Sequence, residues 1–141
     1  MDAKEYLSQA RFLDTRINSK IKQVESLNTL ATSASSVLTG MPHNPNKATS
    51  KMADIVCKIV DLQAEINQDI DTLVDLKREI GAVINAIPTE EYSTILERRY
   101  LCFERWETIA AGMGYDLRWL HRLHDKALVE VEEIRKKMGI A

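Results

Sequence analysis

Between Met52 and Pro88 apolar residues recur at steps of three and four: Met52, Ile55, Ile59, Leu62, Ile66, Ile70, Leu73, Leu76, Ile80, Val83 or Ile84, and Ile87. A helical period sustained this long predicts one amphipathic helix of about 36 residues, roughly 54 Å at 1.5 Å per residue. Such a helix cannot keep its stripe dry alone. A second stripe, Tyr6, Ala10, Leu13, Ile17, Ile21, Val24, Leu27 and Leu30, predicts its partner. Between them the pattern dissolves at Ala31-Thr32-Ser33-Ala34-Ser35-Ser36, and Gly40-Met41-Pro42-His43-Asn44-Pro45-Asn46 concentrates turn formers. Residues 32–49 are therefore expected to form a loop. Folding back across it gives an antiparallel two-helix coiled-coil hairpin over residues 1–88. The second helix is the longer, so its end around Ile80 to Ile87 overhangs, and residues 89–141 are expected to cover it.

Five glycines, three prolines and 6% aromatics in 141 residues agree with long helices and an all-α fold. Nineteen Lys and Arg against 21 Asp and Glu exclude a polybasic chain that binds nucleic acid by bulk charge, so any nucleic-acid surface must be local. Cys57 and Cys102, far apart within apolar-periodic stretches, read as buried free thiols of a reducing compartment. The start lacks the layout of a signal peptide, and no window approaches the roughly 20 apolar residues that span a bilayer. A cytoplasmic location without a membrane partner is expected.

Catalysis finds no support: there is no glycine-rich phosphate loop and no nucleophile beside an evident base. Asp69, Asp71, Asp75 and Glu79, interspersed with Lys77 and Arg78, read as the polar face of the long helix. His121 and His124, spaced i, i+3, suit two metal ligands, but His43 is in the loop and no further ligand set accompanies them. No metal and no cofactor are expected.

Residues 89–141 change texture, with shorter helices, both Trp and three of the four Tyr. Thr89 after Pro88 can cap a helix to about Leu101. A break at Cys102-Phe103-Glu104 precedes a brief helix from about Arg105 to Met113. Gly114-Tyr115 makes a turn, and Asp116 caps a last helix to roughly Lys137. A helix-turn-helix needs a small residue where its helices approach, a turn glycine able to take positive φ, and apolar contacts elsewhere. Ala110, Gly114, and the set Ile109, Met113, Tyr115, Leu120 and Leu123 fill those places. An ordinary helical hairpin shares some of these features; their conjunction favours the helix-turn-helix. Its second helix then presents Asp116, Leu117, Arg118, His121, Arg122 and Asp125 outward. Arg118 and Arg122, one turn apart, could both enter one major groove, where Arg suits bidentate bonding to guanine. Residues 98–126 hold six basic residues against four acidic ones. Among them Arg98, Arg99, Arg105 and Lys126 are candidates for phosphate contacts, with surface salt bridges the alternative for Arg98 and Arg99.

The run Trp106-Glu107-Thr108-Ile109-Ala110, Met113-Gly114-Tyr115-Asp116-Leu117-Arg118-Trp119-Leu120-His121-Arg122-Leu123-His124-Asp125-Lys126-Ala127-Leu128 resembles region 4 of bacterial sigma factors, the helix-turn-helix that binds the −35 promoter element. The whole chain also resembles a family of small proteins encoded by phages and prophages of Gram-positive bacteria. Its shared features are Lys51-Met52-Ala53-Asp54, Asp75-Leu76-Lys77-Arg78-Glu79-Ile80, and the pattern Arg99-Tyr100-Leu101, Trp106, Ile109-Ala110, Met113-Gly114-Tyr115. By position, the resemblance to region 4 implies base and phosphate contacts at Leu117, Arg118, Trp119, His121 and Arg122. Leu117 can offer only an apolar contact, as to a thymine methyl, and Trp119 is unusual on a groove-facing surface. No module that would melt a −10 element is present, so the resemblance does not extend to a complete sigma factor.

Three readings follow. One is a sequence-specific transcription regulator of phage or prophage genes that binds double-stranded DNA. Its hairpin either stabilises the domain alone or pairs with a second copy or with RNA polymerase. Another is a packaging or assembly protein similar to a small terminase subunit, although those subunits typically place the DNA-binding domain first. The last keeps the fold but turns Arg118, His121 and Arg122 towards protein.

Overall fold

The computed structural model describes residues 1–38 and 45–140, with side chains for 1–33 and 50–140. The described residues form helices joined by short turns, without strands: α1 (Ala3–Leu38), α2 (Pro45–Asn85), α3 (Glu90–Leu96) continued by a π-helical turn (Glu97–Leu101), α4 (Trp106–Met113) and α5 (Leu117–Met138). The helices α1 and α2 take in residues 32–38 and 45–49, which the sequence reading assigned to the loop. Pro45 opens α2, where its fixed φ fits and its missing N–H costs nothing. The remainder of that loop, 39–44 with His43, lies outside the described residues. At the start of α1, Asp2 accepts the Glu5 N–H at 2.8 Å. Thr89 stands at the N-cap of α3 in extended geometry, but its side chain makes no capping bond there.

The chain divides into two compact units, Asp14–Thr72 and Met1–Leu13 with Leu73–Ala141. The change of sequence texture after Pro88 places a boundary at 88/89 instead. Within Asp14–Thr72 the inward positions are Ile17, Lys20, Val24, Leu27 and Ala31 on α1, and Ile55, Ile59, Leu62, Ile66 and Asp69 on α2, all buried or half-buried. Ile21, Leu30 and Ile70, expected inward, are exposed. The strict three-four alternation passes through Lys20 and Asp69 instead, and Lys20 Nζ sits 2.6 Å from Asp69 Oδ2 and 3.6 Å from Glu65. A largely desolvated ion pair thus replaces an apolar layer. Cys57 and Cys102 are both exposed free thiols, which corrects the expectation of burial. Cys57 lies two residues past the inward Ile55, on the outer side of a 3.6-residue turn, and Cys102 sits at the end of the π-helical turn.

The other unit is organised around two clusters. In the larger, Tyr6, Leu7 and Ala10 of α1 meet Ile80, Val83, Ile84 and Ile87 of α2, Leu96, Tyr100, and Ala127 and Val131 of α5. The overhang anticipated at Ile80 to Ile87 is therefore covered by α3 and α5, together with the first turns of α1. Each fully buried aliphatic side chain contributes about 1.5–3 kcal/mol. Arg135 of α5 is buried against this cluster, its guanidinium 4.6 Å from the centre of the Tyr6 ring. It donates from Nη1 to the Met1 carbonyl at 3.3 Å and to Glu132 at 3.2 Å, while its Nε has no partner. Tyr6 in turn donates to Glu79 at 3.0 Å; burial and that carboxylate push its phenol well above the usual range. The smaller cluster joins Ile95 of α3 to Ile109 and Ala110 of α4 and Leu120 and Leu123 of α5.

Candidate nucleic-acid interface

Local chemistry fixes the turn between α4 and α5. Gly114 ends α4 in the left-handed region at φ 73°, which a side chain would strain, and its N–H donates to the Ala110 carbonyl. The Tyr115 N–H donates to the same carbonyl at 3.0 Å. Asp116 then caps α5 by accepting the Trp119 N–H at 2.7 Å. Ile109, Ala110, Leu120 and Leu123 are buried, with Met113 and Tyr115 half-buried around them. Glu91, as a hydrogen-bonding neighbour of the Tyr115 hydroxyl, pushes the phenol's pKa upward.

With Leu120 and Leu123 turned inward, Leu117, Arg118, His121 and Arg122 project from the first two turns of α5, and all four are exposed. His121 leans on the Trp106 ring, centroids 4.9 Å apart. Trp119 is also exposed rather than packed on α4, and Lys126 Nζ stands 5.8 Å from its ring centre. Arg105 is exposed and only 3.8 Å from the equally exposed Glu107, a pairing of little energetic weight.

Arg98 and Arg99 are engaged differently. Arg98 Nε meets Glu104 Oε2 at 2.6 Å, and that bond raises the guanidinium pKa. Its terminal nitrogens lie over Gly112, where a Cβ would stand 2.5 Å from Nη1. Arg99 stacks on Trp106 at 4.6 Å and donates to the Glu104 carbonyl at 3.0 Å. Both arginines clamp the segment between the π-helical turn and α4, in which Phe103 takes φ 58°. The outward cationic set therefore consists of Arg105, Arg118, Arg122 and Lys126.

Beneath this face lies a pair that the sequence reading did not connect. His124 is 4% exposed. Its Nε2 lies 2.6 Å from the Tyr100 hydroxyl, its ring stacks on Tyr100, and it meets Trp106 edge-on at 4.6 Å. Burial, reinforced by Lys4, His121 and Arg99, lowers the imidazole to about 4 against the opposing pull of Asp125, while burial raises Tyr100 to about 12. His124 is accordingly neutral at pH 7, and its Nε2 shares one hydrogen bond with the phenol, the tautomer setting which of the two donates. The signal was present in the spacing Leu120, His124, Ala127, Val131, Arg135, the buried stripe of α5. Among the described residues no three His, Cys, Asp or Glu side chains are grouped to hold a metal ion. Among the described residues no helix is long and apolar enough to cross a membrane. No protein-family model, curated protein or solved structure matches the chain.

Proposed function

We propose that α4 and α5 form a helix-turn-helix that binds double-stranded DNA sequence-specifically, with α5 in the major groove, and that the protein regulates transcription of phage or prophage genes in the bacterial cytoplasm. One observation carries this reading: the first two turns of α5 hold Leu117, Arg118, His121 and Arg122 outward on a helix anchored by Leu120 and Leu123 behind a left-handed glycine turn. Arg118 and Arg122 supply the base readout, His121 and Leu117 flank them, and Arg105, Trp119 and Lys126 address the backbone. Arg98 and Arg99 act as supports for α4. In this reading α1 and α2 make an antiparallel coiled-coil hairpin that serves assembly, with a second copy or with RNA polymerase. Pairing two modest half-sites multiplies affinity.

Selection from random-sequence duplexes, followed by gel shift across a salt series, tests it. The wild type should enrich a defined site, and Arg118→Ala/Arg122→Ala should abolish the preference. Arg105→Ala/Lys126→Ala should weaken binding to all sequences alike and lower the salt slope by about 1 per lost phosphate contact. Folded protein that binds no duplex at low salt would refute the proposal and direct attention to protein partners.

A further inference from the structure

His121 and His124 stand three residues apart on α5, so their side chains share one face of the helix. Both meet one ring on α4, that of Trp106, with centroids 4.9 and 4.6 Å away. His124 is the buried member of the pair and His121 the exposed one, so Trp106 reaches from the core to the surface. It opens α4 and is half-buried against the smaller cluster. Further contacts hold the indole from the π-helical turn. The Arg99 guanidinium lies 4.6 Å from its centre and is itself tied to the Glu104 carbonyl at 3.0 Å. His124, edge-on to the indole, is tied to the Tyr100 hydroxyl at 2.6 Å. Arg99 and Tyr100 are neighbours in that turn. Such turns are rare and recur at functional sites, and here two consecutive residues of one bear on a single ring, Arg99 directly and Tyr100 through His124.

An exposed imidazole on a helix turns broadly about χ2, and a freely turning ring can meet any phosphate or base edge within reach. His121 is seated differently: its ring lies at 57° to the indole, and that contact fixes the direction in which its outer edge points. A hydrogen bond demands direction, so a ring aimed in advance meets one base edge well and its neighbours poorly. It also gives up less freedom when DNA arrives. Arg118 and Arg122 bring long, flexible reach to the same face; His121 brings direction.

We infer that Trp106 is a positioning residue that makes His121 the reader of one base pair. The inference rests on the DNA-binding reading proposed above. Its first test needs no DNA. In the free full chain, the indole ring current should displace the His121 imidazole protons upfield in NMR spectra, an effect kept in Trp106→Phe and lost in Trp106→Leu. The second test substitutes each base pair of the selected site in turn. The position whose preference disappears in His121→Ala should be discriminated about fivefold by the wild type. Trp106→Leu should lose that same preference and keep those set by Arg118 and Arg122, together with the salt slope. Trp106→Phe should retain it, and His121→Ala/Trp106→Leu should lose no more than either change alone. Arg99→Met, which leaves the cluster filled, should lower the same preference in part, so the test survives a Trp106→Leu chain that fails to fold. Unshifted His121 protons in the wild type would overturn the inference alone. So would a folded Trp106→Leu protein that keeps the preference under His121, or one that loses every preference alike. Folded wild type that binds no duplex would overturn the inference together with the function it rests on.

Discussion

Burial of His124 makes the stability of the fold depend on pH. In the unfolded chain its imidazole takes up a proton below its ordinary value of 6.5, whereas in the folded protein burial holds it neutral until about 4. Between those values the unfolded state binds more protons, so stability falls as the pH falls. At 1.36 kcal/mol per pH unit, the gap from 6.5 to about 4 is worth about 3 kcal/mol, present in full above 6.5 and lost by pH 4. The perturbation is His124→Gln, which keeps an acceptor near Tyr100 but cannot titrate. Urea unfolding, followed by Trp106 fluorescence in a Trp119→Phe background, would be measured in half-unit steps from pH 7.5 to 4.5. Carboxylates contribute to both proteins, so the difference between them is the readout. The wild type should lose stability more steeply by about 1 kcal/mol per pH unit below 6.5, while His124→Gln starts lower and follows a shallower line. Parallel profiles would refute the argument and mean that the imidazole is already hydrated or charged in the native state.

Two further outcomes follow from the packing. Lys20→Met should cost about 1–3 kcal/mol by leaving Asp69 desolvated without its partner, and Lys20→Leu/Asp69→Leu should recover most of that loss in thermal melts. Gly112→Ala should displace the Arg98 guanidinium from Glu104 and so forfeit most of the roughly 1 kcal/mol that alanine gains inside a helix, whereas in an Arg98→Ala background the same substitution should stabilise by about that amount, the difference being read as a double-mutant cycle.

The bounds of α4 and α5 were legible because their signals are local: Asp116 caps, Gly114 turns, and the residues that read them lie within one helical turn. The outward residues of α5 followed from the same stretch. Inward slots filled by charge were not legible. Ile21 and Ile70 outrank Lys20 and Asp69 on any local scale, and only the opposite helix makes the charged pair acceptable. Arg98 and Arg99 looked like surface cations for the same reason, since Glu104 and Trp106 reach them only through the π-helical turn. The alanine and serine run after Leu30 lacks an apolar rhythm but contains no helix breaker, so α1 runs on through it to Leu38.

The larger cluster, which joins Tyr6, Leu7 and Ala10 to Ala127 and Val131, has a consequence for synthesis. The stretch Asp14–Thr72 is continuous in sequence, so its helices can zip together while later residues are still being added. The core around Leu7 and Ile84 must wait for α5, more than a hundred residues downstream, and its first-made turns stay uncovered until then. Closing that long loop is slow relative to local pairing, so the unit that holds α3 to α5 is expected to be the last to become native on the ribosome and the first substrate for a chaperone.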